Sequence, residues 1–271
     1  MKHWTLDDIP WDKFDRSKVD PEILRVIKAA AMVEHNGLDY GVYLNNVFAD
    51  DAEFKAATDI WAVEEVQHGK ALGRWAQMAD PDFDFDAAFA RFRDGYKLPL
   101  DATKSVRGSL AGELMARCIV ETGTSSYYTA LRDASDEPVL RDICGRIAAD
   151  ELRHYKLFYS HMRRYLEKEK LGVWGRLRVG LSRILESEDD ELAYAYYAAN
   201  GDGQAYNRRD NTRAHALRAY RVYKPGHLQR AVSMVFKAMG LKPHGRISGW
   251  VTRLAWNFMR WRVSRLERGV S

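Results

Sequence analysis

Apolar positions along the first part of the chain fall at helical spacing. Ile23, Val26, Ile27, Ala30 and Val33 recur every three or four residues, the period of a helix with one buried face. Asp20 before Pro21 marks its start, because aspartate caps free amides and proline is tolerated at the first helical position. The pattern predicts one helix from Pro21 to about Phe48. A second runs from about Asp51 to Met78 and stops at the ADPD turn around Pro81; a third covers about Thr103 to Asp133; a fourth, capped by Asp136, runs from Pro138 to about Lys170. There is no alternating strand pattern of useful length and no internal repeat. Four long helices in residues 1–170 predict an all-α fold, an antiparallel four-helix bundle. Residues 171–271 are less regular: GRLRVGLSRIL, DDELAYAYYAA, the loop NGDGQ and segments divided by Pro225 and Pro243 predict additional C-terminal helices packed on or beside the bundle.

Composition agrees with a soluble helical protein: 46% of residues are apolar, 30% charged, and only 7 of 271 are proline. Charge is unevenly spread. Residues 1–170 hold 24 Lys and Arg against 30 Asp and Glu, whereas residues 171–271 hold 18 against 8. No run approaches the roughly 18–20 apolar residues of a spanning helix, and the N-terminus lacks the apolar core of a signal peptide. With only Cys118 and Cys144, too far apart on antiparallel helices for a disulfide, the expected location is the cytoplasm, with a peripheral membrane association as a further option.

That option comes from residues 249–268. On a helical projection Trp250, Leu254, Phe258 and Trp261 line one side, and Arg253, Asn257, Arg260, Ser264 and Glu267 the other. Two readings are open: a helix docked on the bundle by its apolar side with solvated arginines, or one lying on an anionic membrane or a partner. No nucleic-acid motif accompanies the charge.

Two segments carry the candidate chemistry. Glu65-Val66-Gln67-His68 and Glu151-Leu152-Arg153-His154 each place a carboxylate and an imidazole three residues apart, on one face of a helix. Glu34 precedes Glu65 by 31 residues, and Glu121 precedes Glu151 by 30. A chain that climbs, turns and descends over such a distance returns to the same height, so each lone Glu faces a Glu-x-x-His across the bundle. One Glu from each of two helices and Glu-x-x-His from each of the other two is the ligand set of a di-iron or di-manganese bundle. Val33, Ile119, Val120, Ile147, Ala148 and Ala149 put these carboxylates in apolar turns, where unpaired charge is costly. Two divalent ions would neutralise four glutamates.

The order Glu34, WAVEEVQH (61–68), ETGT (121–124) and ICGRIAADELRH (143–154) resembles the soluble acyl-acyl-carrier-protein desaturases of the ferritin-like superfamily, over residues 34–154 and including flanks such as Trp61 and the doubled Glu64-Glu65. The resemblance implies a ferritin-like bundle in residues 1–170. It implies two iron ions, with manganese as the alternative, held by Glu34, Glu65, His68, Glu121, Glu151 and His154. Thr124 matches a threonine beside the oxygen-binding position, where its hydroxyl would donate or relay a proton; the competing reading is a bond back to the Val120 carbonyl. Asp150 matches a carboxylate that orients a ligand histidine. The implied reaction is O2-dependent desaturation of an acyl chain carried as an acyl carrier protein thioester, with a ferredoxin-like electron donor and a homodimeric enzyme. The rivals are a di-iron oxygenase acting by hydroxylation or N-oxygenation, and a non-catalytic ferritin-like metal-binding protein tethered to membrane. Gln67 stands where the family commonly has arginine. His35 and His161 are read as near the site or at the surface, and Tyr127, Tyr128, Tyr155, Phe158 and Tyr159 as core packing, with a channel lining or a radical carrier as the alternatives.

Overall fold

A computed structural model of the chain describes residues 3–185, 190–201, 203 and 205–268. Every regular element among them is helical. Three 3-10 turns, Leu6–Asp8, Trp11–Lys13 and Arg16–Lys18, lead into α1 (Pro21–His35), whose Asp20 cap accepts from the amides of Glu22 and Ile23. The first predicted helix breaks at the buried Asn36, and α2 (Gly37–Val47) continues beyond it. Close packing accounts for the residues on either side of the break. A Cβ on Gly37 would lie 2.4 Å from the Cβ of Glu65, and one on Gly69 would lie 2.5 Å from the His35 amide. Glycine at both positions lets the two antiparallel helices meet backbone to backbone.

The next helix is α3 (Ala52–Ala79), capped by Asp51. After it comes α4 (Phe85–Gly95), a short helix that the periodicity did not predict. The helix expected from Thr103 begins later: α5 (Leu110–Ala134) starts where the Ser109 hydroxyl accepts from the Gly112 amide. The fourth bundle helix, α6 (Pro138–Glu169), is capped by Glu137 and not by Asp136. Glu137 is fully buried and accepts from the Leu140 amide at 2.7 Å, Trp75 Nε1 at 2.7 Å and the Asp15 amide at 3.1 Å, so one carboxylate ties together three segments.

The C-terminal part comprises α7 (Val173–Leu185), α8 (Asp190–Asn200), α9 (Arg208–Arg221), α10 (Pro225–Met239) and α11 (Arg246–Arg268). Asp189 of the predicted DDELAYAYYAA segment, and Asp202 and Gln204 of the NGDGQ loop, lie outside the described residues. Of these helices α7 and α10 pack against α5, α8 against α1 and α4, and α11 against α9 and α10. No described helix is long and apolar enough to cross a membrane.

Within the bundle, α1 and α2 pack on α3, α5 packs on α6, and α3 meets α6. Two hydrophobic clusters fill its ends. One contains Ile27, Met32, Leu72, Trp75, Leu131 and Ile147; the other contains Leu44, Phe54, Trp61, Leu114, Ile119 and Phe158. Along α3 and α6 the change from one cluster to the other falls where Glu65, His68, Glu151 and His154 occur. The polar side chains form a layer between two apolar halves.

Candidate metal centre

All six predicted ligands are buried and converge on that layer. They form two groups, Glu34, Glu65, His68 and Glu151, and Glu65, Glu121, Glu151 and His154, each offering ligand atoms within 4.8 Å of one another. Glu65 and Glu151 belong to both. Each group thus holds one histidine, one glutamate of its own and two carboxylates common to both, so either group could hold a metal ion and Glu65 and Glu151 would serve both.

The donor atoms fit this use. His68 Nδ1 lies 3.3 Å from both Glu34 Oε2 and Glu151 Oε1, and His154 Nδ1 lies 3.0 Å from Glu65 Oε1. Glu65 Oε1, Glu121 Oε2, Glu151 Oε1 and His154 Nδ1 are buried without a hydrogen-bond partner, an arrangement that a cation would relieve.

The other ring nitrogens are held from outside the group. His68 Nε2 lies 3.1 Å from Asp150 Oδ2, in the role implied for that residue, and His154 Nε2 lies 2.7 Å from Glu64 Oε2. Each pairing crosses the bundle: the acid preceding the shared glutamate on one helix orients the histidine on the other. Such contacts fix the ring and leave Nδ1 facing the carboxylates of its own group. Arg153 spans the two acids, with Nη2 2.6 Å from Asp150 Oδ1 and Nη1 3.2 Å from both Glu64 oxygens. The role of Glu64 was missed from sequence, although the acid doublets Glu64-Glu65 and Asp150-Glu151, each three residues before its histidine, carried the signal.

Electrostatics follow from this packing. Burial, and then the charges of Glu151 and Glu34, push Glu65 well above the usual carboxylate range; burial and Glu151 push Glu121 up to about 8. For Asp150 and Glu64 burial acts in the same direction, but hydrogen bonds outweigh it and hold both low: from His68, Arg153 and Trp4 for Asp150, and from His154 and Arg153 for Glu64. Burial works against charge on His68 and His154, yet their carboxylate partners raise both well above the ordinary imidazole value.

The Thr124 hydroxyl makes the back-bond to its own helix and also reaches a carboxylate of the buried layer. It approaches the Val120 carbonyl at 3.2 Å and hydrogen-bonds to Glu151 Oε2. Tyr128, expected among packing aromatics, is fully buried and donates to Glu34 Oε1 at 2.6 Å, a contact to a ligand that composition gave no way to assign. The N-terminal segment covers the layer from outside: Trp4 Nε1 donates to Asp150 Oδ2 at 2.7 Å, His3 Nε2 lies 2.9 Å from the same oxygen, and Gln67 holds the Trp4 carbonyl at 2.9 Å.

Other candidates lie apart. His35 packs against Phe85 and Phe89, and His161 against Phe54 with Arg164 Nη1 at 2.7 Å. Cys118 and Cys144 are free and buried. A cavity of about 390 Å³, lined by residues including Tyr159, Arg163, Leu166 and Arg176, and one of about 270 Å³ between α9 and α11 contain none of the six ligands. No protein-family model matches the chain, and no curated protein matches its sequence.

Proposed function

We propose that the protein is a di-iron oxidoreductase that uses dioxygen to desaturate an acyl chain presented as an acyl carrier protein thioester. The observation that carries the reading is the pair of four-residue groups sharing Glu65 and Glu151. Carboxylates and imidazoles accept iron and manganese alike; iron is chosen for its reaction with oxygen. When bound, two ferrous ions supply the redox chemistry needed to attack an unactivated methylene. In balance, a CH2–CH2 unit, O2, two electrons from a ferredoxin-like donor and two protons give CH=CH and two waters. The protein's own groups hold and orient. Asp150 and Glu64 fix the two imidazoles, Arg153 pairs with both acids, and the Thr124 hydroxyl on Glu151 is placed to hold or move a proton there.

A second reading rests on the same two groups, which would equally serve a metal-binding protein without an acyl substrate. One experiment separates them. Protein loaded anaerobically with ferrous iron is mixed with long-chain acyl carrier protein, a ferredoxin system and oxygen, and the acyl products are analysed by mass spectrometry. A monounsaturated product is expected, and Thr124→Val should raise oxygen consumption uncoupled from product at unchanged iron content. A dominant hydroxylated product would make it an oxygenase. If acyl thioesters of every length neither bind nor change the rate at which the iron-loaded protein consumes oxygen, the second reading stands.

A further inference from the structure

Of the two readings open for the apolar side of α11, docking on the bundle fails. Trp250, Leu254, Phe258 and Trp261 do not dock; they are 61%, 46%, 58% and 48% exposed, and Ile247 extends the stripe at 71%. A different face, with Ser248, Trp256, Met259, Val263 and Leu266, turns inward onto α9 and α10. The helix thus has two apolar faces, and the outer one is uncovered. Arg253 and Arg260 are not opposite this stripe as projected: with Arg246 they lie about 40–80° round the helix from Trp250, beside the stripe, and all three are exposed.

We infer that this face of α11 rests on an anionic lipid surface. The helix carries six arginines and one acid, Glu267, which is already paired with Arg221 at 2.7 Å. A second copy of the chain meeting this face about a two-fold axis would bring arginine against arginine, so charge disfavours self-association. A small acidic protein would satisfy the arginines but leave five large apolar side chains to cover. A membrane interface takes both: tryptophans settle at the headgroup level, aliphatic side chains enter the acyl boundary, and arginines meet anionic headgroups. With that many charges α11 lies along the surface and does not span it, being too polar to cross a membrane.

The test uses the full chain and sedimentation with phosphatidylcholine vesicles, with or without a third of phosphatidylglycerol. Binding to the anionic vesicles at low salt is expected, with weak binding to neutral ones and strong loss at high salt. Each arginine at such a surface contributes about fivefold, so R253E/R260E should weaken binding at least tenfold. W250S/F258S should weaken it comparably even at low salt, with circular dichroism and iron content unchanged, since neither residue supports the fold. Absence of wild-type binding to anionic vesicles at low salt overturns the inference. So does binding indifferent to both double variants. A wild-type dimer that W250S/F258S converts to monomer assigns the face to a second copy, and retention on acyl carrier protein without vesicle binding assigns it to an acidic protein.

Discussion

The indole of Trp4 lies parallel to the imidazole of His68, with ring centroids 6.0 Å apart and planes 7° from one another. The same indole donates to the Asp150 carboxylate that holds His68 Nε2. The N-terminal segment therefore braces His68 twice, by stacking and through a shared acceptor. Trp4→Ala should destabilise the iron-loaded protein by about 2 kcal/mol, the scale of a hydrogen bond to a charged acceptor, and hasten iron removal by a chelator. Trp4→Phe keeps the stack and should fall between. Chelation at the wild-type rate in Trp4→Ala would show that the segment does not brace the site.

The sharing of Glu65 and Glu151 between both groups predicts two classes of variant. Glu65→Gln and Glu151→Gln should abolish paired loading, because each removes a donor from both positions. Glu34→Gln and Glu121→Gln each touch one position and should leave about one ion per chain out of the two such a bundle binds. Iron per chain after gel filtration measures this. Equal losses in all four variants would contradict the bridging assignment.

Metal loading should release protons and strengthen as pH rises. Glu65 and Glu121 are raised by burial and by Glu151, and the two histidines by their carboxylate partners, so protons occupy groups that a cation needs bare. The sign is fixed: a raised pKa keeps the proton on at neutral pH, and the competing proton is lost as pH climbs through that value. Affinity should therefore increase up to at least pH 8, the region to which Glu121 is pushed. Calorimetry in buffers of different ionisation heat gives the protons released; no dependence on buffer would refute the prediction.

Glu137 and Asp136 offer a contrast between neighbours. Glu137 is buried and serves three donors, whereas Asp136 is exposed. Glu137→Ala should lower stability by about 2–4 kcal/mol, combining a lost cap with a buried indole left unpaired. Asp136→Ala should stay within about 0.5 kcal/mol of wild type. Urea unfolding followed by circular dichroism distinguishes them, and similar losses would mean the cap is misassigned.

The sequence by itself determined the helical class and the six side chains that meet in the buried layer. Periodicity of 3.6 is a local property, and Glu-x-x-His needs only a helix to place both groups on one face. The spacing of 31 and 30 residues then sets the heights at which hairpin partners meet. Tertiary structure decided the rest, because it depends on which distant atoms come into contact. No local rule shows that Glu64 orients His154 and Asp150 orients His68; that exchange requires α3 and α6 to face each other across the layer. The break at Asn36 follows the close approach of Gly37 to Glu65, and the choice of Glu137 over Asp136 follows Trp75 and Asp15 arriving beside it. On α11 the helical projection found a true apolar stripe, yet a helix can carry two. Only the shape of the surface formed by α9 and α10 determined which of them was buried.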